Sequence, residues 1–111
     1  MLVFTQLMEN LFMLIGGDFS IKTRLLLLEN LNQLKLAPLV QRDIHAWLSQ
    51  QYPIPLTTKV EEDALRQMVN TAYIALCEYI GPIKADQTFG EALNMTERET
   101  RQHGYSVKKL L

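Results

Sequence analysis

Two histidines, a single cysteine and a run of three acidic residues are the groups through which this 111-residue chain could carry out chemistry. Their spacing does not favour it. Asp43 and His45 stand two positions apart on a segment that reads as helix, so their side chains diverge and cannot share a metal or a proton. His103 lies in a polar terminal segment, and no HxxxH pattern or cysteine pair completes a coordination shell for either histidine. Cys77 falls in the most apolar stretch of the chain, where a lone thiol behaves as a small buried hydrophobe. Glu61, Glu62 and Asp63 open a helix, and negative charge there complements the positive end of the helix dipole without needing a cleft. Gly16-Gly17 lacks the glycine spacing and the following lysine of a phosphate-binding loop. Catalysis needs a nucleophile with its base, a carboxylate pair in a pocket, or a metal cluster. None stands out, so the chain reads as non-enzymatic, with no catalytic residue, cofactor or metal expected.

Charge is nearly balanced, 11 Lys and Arg against 12 Asp and Glu, so no whole-protein field favours nucleic acid or an anionic membrane. A local excess lies at the C-terminal end, where Arg98, Arg101, Lys108 and Lys109 outnumber Glu97 and Glu99. The wording Thr96-Glu97-Arg98-Glu99-Thr100, then His103-Gly104-Tyr105-Ser106, is similar to the first helix and turn of a helix-turn-helix motif. That resemblance implies nucleic-acid contact through the four basic residues. Only about one helical turn follows before Leu111, too little for a helix that spans a major groove.

The remaining chemistry is apolar. Hydrophobic residues make up 48% of the chain, and a domain of this size has too little interior to hide all of them. The expectation is therefore a protein-protein interaction module, an adaptor or regulatory subunit, acting as a homodimer or in a hetero-complex. Its contact surface would be the first helix and part of the second, with Phe4, Met8, Leu11, Phe12 and Met13 as partner-binding anchors. The absence of a disulfide framework or an export pattern points to a reducing, cytoplasmic setting. The apolar opening segment is broken by Gln6, Glu9 and Asn10, so it reads as an amphipathic helix and no membrane span is expected.

The elements that must position these residues are helical throughout. Phe4, Leu7, Met8, Leu11, Leu14 and Ile15 recur at helical spacing, leaving Leu2, Val3, Phe12 and Met13 outside that stripe, and Gly16-Gly17-Asp18 closes the first helix. Ser20 is placed to cap a second helix reaching about Leu36, with Ile21, Leu25, Leu28, Leu31 and Leu34 directed inward. Pro38 opens a third helix whose Val40, Ile44, Trp47 and Leu48 share a face, and Tyr52-Pro53-Ile54-Pro55 forms an extended link. Thr58 and Glu61 have capping-box spacing at the head of a helix to Ile80, which becomes apolar on nearly every side and should be the central post. Gly81-Pro82 turns the chain into a fifth helix, reaching about Asn94 with Ile83, Ala85, Phe89, Ala92 and Leu93 inward. Thr96 and Glu99 repeat the capping-box spacing for a short sixth helix ending at Gly104.

Tyr79-Ile80-Gly81-Pro82-Ile83, between two helices, resembles a phrase found in small helical accessory modules of bacterial signalling proteins. The resemblance implies a protein-contacting role. The expected architecture is an all-α, single-domain bundle of about five helices plus a short C-terminal one over residues 1–104, with a loose tail at 105–111.

Overall fold

The computed structural model describes residues 2–49, 60–101 and 107–110, and among them every regular element is helical. Five α-helices follow in order: α1 (Leu2–Ile15), α2 (Gly17–Asn30), α3 (Pro38–Ser49), α4 (Glu62–Ile80) and α5 (Pro82–Thr100). The all-α bundle expected from the periodicity is therefore present.

The central post is α1. Val3, Phe4, Leu7, Met8, Leu11 and Phe12 are all buried, together with Thr5 and Asn10. These residues occupy more than one side of the helix, so α1 must be surrounded, and it packs on α5, α2 and the C-terminal turn. Of the apolar residues outside its main stripe, Val3 and Phe12 thus meet the chain's own core, while Met13 is exposed. The position expected for the fourth helix goes to the first instead. Helix α4 is amphipathic: Ala64, Leu65, Met68, Val69, Ala72, Ala75 and Leu76 face inward, while Gln67, Asn70, Ile74 and Glu78 are exposed.

Helix α4 begins at Glu62, beyond the start expected at Thr58. Glu61 is the N-cap with extended backbone and makes no side-chain cap, while its carbonyl accepts the Leu65 N–H at 3.1 Å. Thr58 lies outside the described residues, as does the expected Tyr52–Pro55 link. Glu62 and Asp63 still place negative charge on the first turn, and Arg66 donates to both, at 3.1 and 2.9 Å.

Helix α2 meets the expectation only in part: Leu31 is buried and Leu28 and Leu34 pack against the core, but the first half turns another face inward. Thr23 and Leu27 are buried, whereas Ile21 and Leu25 are 59% and 53% exposed. Its apolar residues are spread round the axis, so its own pattern does not select a face. The helix ends at Asn30 and continues as a 3-10 turn over Leu31–Leu34, closed by Lys35 in the left-handed region. Helix α3 matches its periodicity, with Ile44, Trp47 and Leu48 buried and Phe4 packed 5.6 Å from the Trp47 ring.

Gly16 (φ 83°) and Gly81 (φ 84°) make the two sharp corners, α1 to α2 and α4 to α5, in backbone conformations that side chains resist. Beyond Gly81, α5 runs unbroken to Thr100, so the expected stop near Asn94 and the separate sixth helix do not occur. Thr96 is inside the molecule, and its hydroxyl donates to the Ala92 carbonyl at 2.7 Å. The residues read as a new start thus sustain the old helix. Ile83, expected inward on α5, is 76% exposed at its first turn.

The expected loose tail is also corrected. Val107–Leu110 forms a 3-10 turn against α1, α4 and α5, with Val107 and Leu110 each 1% exposed. Two apolar residues three apart dip into the core and hold the segment.

Candidate protein-contact site

The chain turns at Gly16 from α1 to α2, and the end of α3 lies alongside, leaving a groove of about 700 Å3. Phe12, Leu28 and Leu48 contribute its apolar lining, Gly16 and Gly17 keep one side low, and Met13, Ile21 and Leu25 stand at its edge. Met13 is 63% exposed. Here the bundle leaves apolar side chains of neighbouring elements together in solvent.

Of the five expected anchors, only Met13 is on the surface. Phe4, Met8 and Leu11 are at most 1% exposed and belong to the subunit's own core, so they cannot dock a partner. Phe12 is 5% exposed and contributes to the groove from beneath. Ile21 and Leu25, which periodicity had directed inward, are exposed beside Met13. Their sign in the sequence is the four-leucine run Leu25 to Leu28, which supplies more apolar surface than one buried face needs.

Electrostatics ties this groove to the core. The Arg24 guanidinium lies 4.3 Å over the Phe12 ring, a cation–π contact at the groove wall. Burial raises the Glu9 carboxyl above its usual range, with the Arg24 charge opposing the rise and the Glu99 charge adding to it. Burial likewise pulls Arg24 below its usual range, with Glu9 opposing. Beside them a polar ladder joins α1 to α5. Asn10 donates to Thr96 Oγ1 and to Glu99 Oε1, both at 3.1 Å, and Gln6 donates to Glu99 Oε2 at 2.5 Å. Glu99, read as half of a capping box, instead receives the side chains of α1.

The basic residues divide. Arg98 and Arg101 are exposed three positions apart at the end of α5, and Lys109 is exposed on the C-terminal turn. The Lys108 side chain and His103 lie outside the described residues. The turn of the helix-turn-helix resemblance, His103–Ser106, lies outside the described residues, and the stretch that would follow it, Val107–Leu110, is four residues of 3-10 helix anchored in the core.

A second, smaller cavity of about 290 Å3 opens between α4 and α5, lined by Arg66, Val69, Asn70, Tyr73, Asp86, Phe89 and Leu110. The Tyr73 hydroxyl donates to Asp86 Oδ1. This bond, reinforced by the nearby Cys77, raises the Tyr73 phenol far above its usual range, so it stays protonated at neutral pH.

Among the described residues, no group of three or more His, Cys, Asp and Glu side chains could hold a metal ion, and no helix is long and apolar enough to cross a membrane. Comparison with protein-family models, curated proteins and solved structures finds no match.

Proposed function

We propose that this chain is a non-enzymatic protein-contact module, an adaptor or regulatory subunit of the cytoplasm, and that a second copy of the same chain occupies its α1–α2–α3 groove. One observation carries the reading: Met13, Ile21 and Leu25, each more than half exposed, stand at the edge of a groove with Phe12, Leu28 and Leu48 in its lining. A two-fold interface needs one surface that offers both a ridge and a recess, because each copy presents the same patch to the other. This surface has both. Ile21 and Leu25 are one helical turn apart on α2, so from each copy they would enter the other's groove as a pair.

Charge does not oppose the pairing. Arg24 is engaged with Phe12 and opposed by Glu9, Lys22 lies over the Phe19 and Tyr79 rings, and the chain's net charge is −1. The test is size-exclusion chromatography with light scattering on the full chain and on Leu25→Glu, with circular dichroism to confirm unchanged helix content. The expected result is a dimer that becomes monomeric in Leu25→Glu. A monomer at every concentration, or a dimer unaffected by the substitution, overturns the reading.

The alternative, a nucleic-acid-binding regulator, has in its favour the exposure of Arg98 and Arg101 close together while Glu99 is turned toward α1. Binding led by phosphate contacts weakens steeply with added salt, whereas an apolar dimer hardly responds.

A further inference from the structure

The cavity between α4 and α5 combines an apolar floor with one carboxylate, Asp86, and one guanidinium, Arg66, whose Nε–H is buried without a hydrogen-bond partner. Val69 and Leu110 are buried there, and Tyr73 and Phe89 meet edge to face, with ring centroids 5.4 Å apart at 70°. Arg66 is the cation on the rim, and it is held by Glu62 and Asp63 at 3.1 and 2.9 Å. Its charge is already answered twice. Asp86, across the cavity on α5, accepts the Tyr73 hydroxyl, a neutral donor that leaves the carboxylate charge in place. Glu62 and Asp63 screen the Arg66 charge, so Asp86 is the lining charge an incoming cation would meet.

We propose that this cavity is a binding site for a small organic ammonium ion with an apolar, preferably aromatic, stem. The ammonium group would donate to the Asp86 carboxylate, beside the Tyr73 hydroxyl that already donates to it. The stem would lie against Val69, Phe89 and Leu110, and the electron-rich ring face of Tyr73 would add cation–π attraction. Small-molecule sites commonly have this form, a mostly apolar recess with a few converging polar groups. The site is separate from the proposed dimer groove, so the two can be tested apart.

The experiment is an amide NMR titration of the full chain with phenethylammonium, compared with phenethyl alcohol as the neutral match and hydrocinnamate as the anionic one. Phenethylammonium should bind at least about tenfold more tightly than either control, a difference one charge-assisted contact can supply. Its shifts should centre on Val69, Asn70, Tyr73, Asp86 and Phe89. In Asp86→Asn the ammonium should lose its advantage over the alcohol, and in Arg66→Gln, where a like charge is removed, it should bind more tightly. The gain in Arg66→Gln guards against reading a folding defect as lost binding. Equal binding of ammonium and alcohol, absence of localised shifts, or affinity unmoved by Asp86→Asn would each overturn the proposal.

Discussion

Asn10 is a polar residue in the middle of an apolar helix, 5% exposed, and its side chain bridges to Thr96 and Glu99 on α5. Such a group is stabilising only while it is hydrogen-bonded, because a buried polar atom without a partner keeps its full desolvation penalty. Asn10→Ala should therefore lower stability by about 1–3 kcal/mol in urea denaturation. Arg24 acts on the same neighbourhood through charge. Glu9 has a raised carboxyl pKa in the folded state, so the folded chain holds that proton more tightly, and stability falls as pH rises from the usual carboxylate range through the raised value. Arg24 limits that loss by drawing the Glu9 pKa down. Arg24→Met keeps a long stem over Phe12 but removes the charge, so the deficit against the parent chain should be larger near pH 7 than near pH 4.5. Denaturation curves at the two pH values check it, and a deficit that shrinks toward neutrality would refute the Glu9 coupling.

At the scale of elements, the corners are set by two glycines and the helix lengths by packing. Gly81 has φ 84° and ψ 158°, a region open almost only to glycine, yet a Cβ there would meet nothing within 4 Å. The cost of Gly81→Ala is thus backbone strain alone, about 1–3 kcal/mol. Gly90 sits inside α5 with the same open space and no positive φ, so Gly90→Ala should stabilise by about 0.5–1 kcal/mol. Thermal melts of the two variants should move in opposite directions. Helix α5 illustrates why ends were harder to read than corners. Thr96 and Glu99 have the spacing of a start signal, but Thr96 bonds back to Ala92 and Glu99 is claimed by Gln6 and Asn10 from a helix some ninety residues away in sequence. A local pattern holds only when no distant partner competes for the same side chains.

For the whole molecule, the last turn matters more than its composition suggests, because Leu110 reaches the common core and also lines the α4–α5 cavity. Leu110→Ala should cost about 2–5 kcal/mol, the range for deleting a fully buried leucine side chain, and chemical denaturation would show it. A change near zero would mean that the turn is dispensable. The class of the bundle, the corners at Gly16 and Gly81, the first turns at Pro38 and Pro82 and the inner face of α3 were all legible, since periodicity, glycine and proline act over a few residues. The contact site was legible only in outline. Excess apolar surface near the beginning of the chain was visible, but of the anchors named on α1 all except Met13 proved to be core, and the exposed pair belonged to α2. By itself the sequence determined that these segments are helices and roughly where the chain turns. The tertiary structure decided that α1 and not α4 occupies the centre, and which side of α2 meets water. That choice depends on the shape and side chains of neighbours far along the chain, which no local spacing can encode.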